Sequence, residues 1–336
     1  MVEQNDHNLM RVALNVAWAY QGLTFPNPAV GAVVSDEDGK ILGIGAHRRS
    51  GLPHAEVEAL KEAYKSLSND HLIDSIEDSS QLHNFLKTNH QNLFHNLILH
   101  VTLEPCNHYG KTPPCSQLIY DLGFKKVVIG SLDRTKEARG GGDFLKSKGV
   151  EVVYGCLEKE CDMLLEPFMA WQKEEPFVFF KIALSANGVA KDGIISCEAS
   201  RKRVHQLRDK CDLLVIGGNT VRTDRPILDA RLCDGKAPDI LIYSHHKNFD
   251  KTIPLFGVEN RKVFIENSLD KIKNYKMVMV EGGQNMLDVL EKQLRWFLIF
   301  RSFENKEGEK IVLPPVQEIF SCQIETDKMS WFYRNE

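Results

Sequence analysis

Two short stretches constrain this chain most, because together they supply the ligands of one metal site. The first is His54-Ala55-Glu56, and the second covers residues 105–115, where eight residues separate Cys106 from Cys115. One imidazole and two thiolates leave the fourth tetrahedral position of a zinc ion to water, and zinc lowers the pKa of that water to roughly 7. The sequence therefore predicts a catalytic zinc site rather than a closed structural one.

Glu56 fits the role of a proton shuttle beside this metal. Zinc-dependent deaminases of nucleobases carry His-x-Glu and a later Pro-Cys-x-x-Cys, in which the glutamate moves protons and does not bind the metal. The longer gap between Cys106 and Cys115 departs from that pattern. Pro114 predicts a helix start, where the helix dipole would favour the Cys115 thiolate. We expect His54 to begin another helix, over residues 55–63, that points at the metal end-on.

Length and composition limit the classes of protein that this chain could belong to. At 336 residues, two domains are expected, and a formal net charge of −4 argues against a nucleic-acid partner. The first residues lack the cationic and apolar regions of a signal peptide, and no apolar run is long enough to span a bilayer. The cysteines other than Cys106 and Cys115 show no disulfide spacing. We therefore expect a cytoplasmic protein with reduced thiols and no membrane partner.

Strands alternate with helices along the first half of the chain, which predicts an α/β architecture. We predict a helix over 9–19 with Asn8 as its cap, a hairpin of strands 30–34 and 40–44, and further strands over 97–103, 125–130 and 150–154. The polar segment 66–96 contains His71, His83, His90 and His95 but no set of ligands in metal spacing. We interpret it as a surface insertion.

The second half repeats the alternation after residue 175. We predict strands over 177–184, 213–216, 239–244, 262–265 and 277–281, and a helix over 201–209. Two of these strands end in Gly217-Gly218 and Gly282-Gly283, each before a helix start. Such a junction is either a phosphate cradle or a simple tight turn. No Gly-x-Gly-x-x-Gly motif supports a Rossmann domain.

Further motifs join the two metal-site stretches and give the chain a family resemblance. They are Asn27-Pro28-Ala29-Val30-Gly31, Gly43-Ile44-Gly45-Ala46-His47, and the His-x-Gly-Lys-Thr-Pro-Pro within residues 108–114. Together they resemble the bifunctional pyrimidine deaminase/reductase family of riboflavin biosynthesis. The resemblance implies a cytidine-deaminase-like α/β/α domain over 1–155, a connecting helical segment over 156–175, and a dihydrofolate-reductase-like α/β domain over 176–336.

The resemblance also implies a role for individual residues. In the first domain Glu56 would be catalytic, with His54, Cys106 and Cys115 as zinc ligands and Asn27, His47, His108 and Lys111 as substrate contacts. In the second domain the NADPH contacts would be Ala183, Thr220, Asp224, Ser244 and Gly283. The substrate contacts there would be Lys181, Arg208, Leu228, Arg231 and Glu281. The family's Ser-Leu-Asp-Gly reads Ser185-Ala186-Asn187-Gly188 in this chain.

The implied activity has two steps. Zinc-dependent hydrolysis would deaminate a diaminopyrimidinone ribosyl phosphate, and NADPH would then reduce the ribosyl group to ribityl. The resemblance also implies a homo-oligomer, either a dimer or a tetramer. Three alternatives stay open. The chain could be a tRNA or nucleoside deaminase with an accessory domain, a deaminase whose reductase half has become structural, or a structural zinc protein.

Overall fold

The computed structural model describes residues 2–110, 113–190 and 193–335 and divides into two compact units, Met1–Gln172 and Lys173–Glu336. Each unit has its own sheet and its own apolar core. Both are α/β, as the alternation of strands and helices predicts. Among the described residues we find no helix with the length and apolar character that a bilayer crossing requires.

The first unit contains five strands and six α-helices among its described residues. In chain order they are α1 (Gln4–Trp18), β1 (Gly31–Ser35), β2 (Ile41–Ala46), α2 (Ala55–Ser68), α3 (Ser79–Asn89), β3 (Ile98–Leu103), α4 (Cys115–Asp121), β4 (Lys126–Ser131), α5 (Gly141–Ser147), β5 (Glu151–Tyr154) and α6 (Glu158–Gln172). The sheet order is β2-β1-β3-β4-β5. Strand β1 is antiparallel to both of its neighbours, whereas β3, β4 and β5 run parallel.

The start of α1 differs from the prediction. The helix begins at Gln4, and the backbone N–H of Glu3 donates to the Asp6 carboxylate at 3.1 Å. The prediction that Asn8 caps this helix is therefore wrong. Asp6 offers an acceptor at the helix start that the apolar periodicity of residues 9–19 does not reveal.

The predicted hairpin is present and positions helix α2. Strands β1 and β2 pair with Gly31 opposite Ala46. A Cβ on Gly45 would lie 2.4 Å from the carbonyl oxygen of Ala55, and one on Gly43 would lie 2.2 Å from that of Ala59. Glycine therefore lets the first turns of α2 approach the strand closely, as no other residue would.

The segment 66–96, which we interpreted as a surface insertion, is largely helical and contributes apolar side chains to the core. Helix α2 continues to Ser68, a short 3-10 helix covers Leu72–Ser75, and α3 follows. Ile73, Leu82, Leu86 and Phe94 are fully or almost fully buried in the core of the first unit. The apolar residues of this segment are spaced for helices, and the surrounding polar residues mask that pattern in the sequence.

The region that we predicted as a connecting segment, residues 156–175, forms α6 and the residues around it. Helix α6 belongs to the first unit, where its Leu164, Leu165 and Trp171 are buried. The division between the units thus falls after Gln172, close to the end of that segment.

The second unit is built on an eight-stranded sheet. Its elements are β6 (Phe177–Leu184), α7 (Glu198–Lys210), β7 (Leu213–Gly217), α8 (Gly218–Asp224), β8 (Asp239–Tyr243), β9 (Val263–Glu266), β10 (Met277–Glu281), α9 (Gln284–Leu290), β11 (Trp296–Ser302), β12 (Gln317–Ile324) and β13 (Asp327–Tyr333). The strand order is β12-β13-β11-β6-β10-β7-β8-β9. The strands from β11 to β9 run parallel, and β12 and β13 form an antiparallel edge.

The last three strands are an addition to what the sequence predicts. Strand β11 pairs with β6 and buries Phe297, Leu298, Ile299 and Phe300. Strands β12 and β13 then extend the sheet as a hairpin. The chain after residue 294 therefore completes the core of the second unit.

Candidate active sites

The ligand atoms of His54, Cys106 and Cys115 lie within 4.8 Å of one another. His54 is the cap residue before α2, and Cys115 is the first residue of α4, so two helix starts converge on one point. The Nδ1 atom of His54 lies 3.8 Å from Cys106 Sγ and 3.5 Å from Cys115 Sγ. The structure thus brings together the three residues predicted to bind metal.

These distances fit a tetrahedral zinc ion. With Zn–S about 2.3 Å and Zn–N about 2.0 Å, a sulfur and a nitrogen ligand stand about 3.5 Å apart. Thiolate and imidazole are also the donors that zinc prefers over the hard, oxygen-binding cations. The residues present therefore match the metal that the sequence predicts.

The three side chains of this cluster shift one another's pKa values. A hydrogen bond from the Cys115 thiol lowers the pKa of Cys106 to about 4, and the same contact, together with burial, raises the pKa of Cys115. The contact with Cys106 raises the pKa of His54 to about 9. Zinc binds thiolate and neutral imidazole, so any protons on the ligand atoms of these three side chains must leave when the metal binds.

Glu56 lies on the first turn of α2, two residues after the histidine ligand. It lines the same cavity as His54 and is only 5 % exposed. Burial raises its pKa, and the charge of His54 opposes that shift. Since it stands outside the group of three ligands, the structure places a carboxyl group of raised proton affinity beside the metal position. Such a group is suited to general acid–base catalysis.

Asn27 and His47 form a polar wall of this cavity. The Nδ1 atom of His47 lies 3.0 Å from the carbonyl oxygen of Pro53, so Nδ1 carries the proton. The Asn27 amide therefore donates to His47 Nε2, at 3.1 Å. Burial lowers the pKa of His47 to about 4, which keeps the ring neutral and fixes which way the Asn27 amide faces.

The cavity has a volume of about 520 Å³ and runs from a buried floor to an exposed mouth. Glu56 lies at the floor, and His108 and Gly110 of the cysteine loop lie exposed at the mouth. Lys111, which the resemblance assigns to the substrate, lies outside the described residues.

Several residues of the cavity escaped the sequence analysis. Glu104 is buried, and its carboxylate accepts from the backbone N–H groups of Gly142 at 2.9 Å and Asp133 at 3.1 Å. It thereby ties the segments that follow β3 and β4 to the first turn of α5. Its position just before Pro105-Cys106, at a strand end, is the signal that sequence reasoning passed over. Asp78, Ser79, Ser80, Asp133, Thr135 and Phe168 also line the cavity and were not predicted.

In the second unit, the residues predicted to contact NADPH lie around one end of the sheet. Strand β7 ends at Gly217, and α8 starts immediately after it. A Cβ on Gly218 would lie 2.6 Å from the Cβ of Ser244, so glycine allows α8 to begin directly beside the end of β8. The remaining predicted contacts are Thr220 and Asp224 on α8, Gly283 between β10 and α9, and Ala183 on β6.

Lys181, Arg208 and Glu281 come together in the same unit. Lys181 on β6 is the register partner of Glu281 at the end of β10. Arg208 Nη2 lies 2.9 and 3.0 Å from the two carboxylate oxygens of Glu281. Burial lowers the pKa of Lys181. Burial acts to raise the pKa of Glu281, but Arg208 and Lys181 outweigh it and the pKa is lowered.

The other two predicted substrate contacts lie next to this group. The exposed Arg231 forms an ion pair with the Asp229 carboxylate, and the carbonyl oxygen of Asp229 accepts from Arg208 Nη1 at 3.3 Å. Leu228 is buried and has a left-handed backbone, with φ at 57°. Its carbonyl oxygen accepts from Arg261 Nη1 at 2.7 Å.

Comparison with known proteins finds a matching family model for each of the two units. Residues 3–131 match the model of the cytidine and deoxycytidylate deaminase zinc-binding region, and residues 176–312 match the RibD C-terminal domain. The riboflavin biosynthesis protein RibD of Aquifex aeolicus is 31 % identical over 306 residues, which cover 87 % of this chain and 78 % of that protein. The chain belongs to the RibD family.

Two further comparisons agree with this membership. The RibD protein of Actinobacillus pleuropneumoniae is 35 % identical over 82 % of this chain and 69 % of its own length. A crystal structure of a diaminohydroxyphosphoribosylaminopyrimidine deaminase/5-amino-6-(5-phosphoribosylamino)uracil reductase from Thermotoga maritima matches 98 % of both chains, with a TM-score of 0.62 and 26 % identity.

RibD membership confirms several predictions. The chain combines a cytidine-deaminase-like domain and a RibD reductase domain, as the motifs indicate. Both halves of a bifunctional deaminase and reductase of riboflavin biosynthesis are present. Zinc and NADPH, the two predicted cofactors, are those of the two RibD domains, and the first unit contains a His/Cys/Cys cluster that could hold a metal ion.

Proposed function

We propose that this chain deaminates a diaminopyrimidinone ribosyl phosphate and then uses NADPH to reduce the ribosyl group of the product to a ribityl group. The single observation that carries the proposal is the convergence of His54, Cys106 and Cys115 on one point with Glu56 beside them. The RibD C-terminal domain in the same chain supports the second step.

In the first unit, the protein's residues bind the ring and move protons. His54, Cys106 and Cys115 would hold a zinc ion, which when bound would activate a water as the nucleophile. The Glu56 carboxylate would accept a proton from this water and deliver it to the ring nitrogen. It would then carry a second proton, from the hydroxyl group added to the ring carbon, to the amine, which leaves as ammonia when its bond to that carbon breaks. Asn27, whose amide is fixed by His47, is positioned to hydrogen-bond a polar edge of the pyrimidinone.

In the second unit, orientation is the main task of the protein. NADPH supplies the hydride when it is bound. Thr220, Ser244 and Gly283 would hold the cofactor at the strand ends. Lys181 and the Arg208–Glu281 pair would hold the sugar and its phosphate, because buried cations next to a carboxylate can bind both an anion and hydroxyl groups.

Two assays on the purified full chain test the proposal. Ammonia release from the diaminopyrimidinone ribosyl phosphate should require zinc, and NADPH oxidation should follow once the deaminated product has formed. Ammonia release without NADPH oxidation would support the alternative in which the reductase half is structural. Activity on tRNA or free nucleosides alone would support the other deaminase alternative.

We also propose that the chain acts in the cytoplasm, as a homo-oligomer, on a small molecule. All eight cysteines are free thiols, which supports a reducing compartment. The oligomer, a dimer or a tetramer, rests on the family resemblance. Light scattering of the purified chain would test it, and a monomeric mass would contradict it.

A further inference from the structure

The first turn of α3 lies on the wall of the deaminase cavity. Ser79 and Ser80 line the same cavity as His54, Glu56 and Cys106, together with Asp78. The helix that carries them belongs to the segment 66–96, which the sequence suggested was a surface insertion. A segment to which we assigned no role therefore contributes side chains to the catalytic cavity.

The position of these serines is fixed by the packing of α3. Leu82 and Leu86 of the same helix are buried in the core that also contains Leu118 of α4. Lys87 Nζ lies 2.7 Å from an Asp121 oxygen, so an ion pair ties α3 to the helix that begins with the ligand Cys115. The Asp78 carboxylate accepts from the backbone N–H of Gln81 at 2.9 Å and holds the first turn in place.

Burial along the cavity shows which part of a substrate would reach these serines. Glu56 is buried at the floor, and the reacting carbon of the pyrimidinone must lie there, within reach of its carboxyl group. Ser79 and Ser80 are half-buried, whereas Asp78 and His108 are exposed. Since the ring occupies the floor, the group attached to it extends along the wall to the mouth.

We propose that Ser79 and Ser80 hydrogen-bond the ribosyl phosphate arm of the substrate, so that α3 is a specificity-determining element of the deaminase site. This inference rests on the proposed function. Serine hydroxyls donate to phosphate oxygens and exchange hydrogen bonds with ribose hydroxyls, and both acceptors belong to the same arm. The pyrimidinone ring would be recognised elsewhere, at Asn27 and Glu56.

The test is the double variant Ser79→Ala/Ser80→Ala of the full chain, compared with Ser75→Ala. Ser75 lies in the same segment, and its exposed hydroxyl donates to the carbonyl oxygen of Leu72. Deamination would be followed as ammonia release from the ribosyl phosphate substrate and from its dephosphorylated form. Zinc content and NADPH oxidation with the deaminated intermediate would report whether each variant is folded.

We expect kcat/KM for the phosphorylated substrate to fall about tenfold in the double variant, because two hydrogen bonds are lost. The fall should come mainly from KM, because contacts to the arm are the same in the ground state and in the transition state. Ser75→Ala should match the unchanged chain. A loss on both substrates would assign the contact to the ribose, and a loss on the phosphorylated one alone would assign it to the phosphate.

Unchanged KM and kcat on both substrates in the double variant, with zinc retained, would overturn the inference and leave the proposed function intact. If the unchanged chain releases no ammonia from either substrate, the proposed function fails and the inference fails with it. Single variants at Ser79 and at Ser80 would show which hydroxyl makes the contact. A bulkier Ser79→Phe should raise KM further, because it narrows the mouth.

Discussion

The Nδ1 atom of His54 lies 3.5 Å from the Sγ atom of Cys115, although 61 positions separate the two residues in the chain. Both stand at helix starts, and Glu56 follows His54 on the same first turn. This geometry supports our proposal of two separate roles, in which His54, Cys106 and Cys115 hold the metal and the Glu56 carboxyl group moves protons. Zinc content and ammonia release measure these two roles separately.

Glu56→Gln should reduce ammonia release by about 100-fold or more, since general acid–base catalysis contributes on this scale. The variant should keep about one zinc per chain, whereas Cys115→Ser should lose the metal as well as the activity. Metal analysis beside the ammonia assay checks both. Zinc loss in Glu56→Gln would contradict the role assigned to this residue.

Removing zinc with a chelator should abolish ammonia release and leave NADPH oxidation with the deaminated intermediate unchanged. The reason is that all three ligands lie in the first unit, whereas Lys181, Arg208 and Glu281 lie in the second. Zinc added back should restore the first activity. Loss of both activities on chelation would show that the metal stabilises the folded state of both units.

Glu281→Gln should lower NADPH oxidation by about tenfold or more, because it removes the charge of a buried carboxylate paired with Arg208. Ammonia release should not change. The matched control is Arg225→Lys in the same unit, which alters an ion pair with Asp250 that is about half exposed and worth little. If the two substitutions changed NADPH oxidation equally, the assignment of Glu281 to the substrate site of the second unit would be wrong.

Asn187→Asp should destabilise the chain, although aspartate is the family's residue at this position. The Asn187 side chain accepts from the backbone N–H of Lys306 at 3.0 Å and donates to its carbonyl oxygen at 2.8 Å. A carboxylate cannot donate, so the free energy of unfolding should fall by about 1–3 kcal/mol. Urea unfolding, with the exposed Asn274→Asp as control, checks this. An unchanged midpoint would show that the loop tolerates the charge.

Asp6→Asn should cost about 3–5 kcal/mol of stability, because it breaks a buried charge network. The carboxylate lies 2.9 Å from His100 Nε2 and 3.0 Å from Lys126 Nζ. Burial acts to raise the pKa of Asp6, but its hydrogen bonds from Glu3, His100 and Lys126 outweigh burial, and the pKa falls below the ordinary value of 3.8.

The pH dependence of unfolding gives a second measurement on Asp6. In acid the folded chain binds fewer protons than the unfolded chain, because the pKa of Asp6 is lower in the folded state. The stabilisation that the ionised Asp6 carboxylate supplies is therefore complete above about pH 4. It is lost as the pH falls through the lowered pKa of Asp6. In the Asp6→Asn variant, the free energy of unfolding should therefore depend less on pH in acid than it does in the exposed control Asp38→Asn. The same pH dependence of the free energy of unfolding in both variants would contradict a stabilising role for the contacts of Asp6 with His100 and Lys126.

Local patterns in the sequence were enough to predict the elements and residues whose signals lie close together along the chain. The motifs His54-Ala55-Glu56 and Pro105 to Cys115 identified His54, Glu56 and Cys115, and Pro114 predicted the start of α4. The alternation of strands and helices gave the α/β class, because periodicity depends only on near neighbours along the chain. The motifs around Asn27 and His47 completed the family resemblance.

Contacts between residues that are distant along the chain became visible only once the elements were packed together. Ser79 and Ser80 reach the cavity because α3 packs on α4, and no local pattern in the segment 66–96 indicates that contact. Asp6 reads as an ordinary acidic residue until His100 and Lys126, more than 90 positions away, close around it. Such contacts depend on how the elements pack, and the free energy that fixes them comes from burial shared across the whole unit.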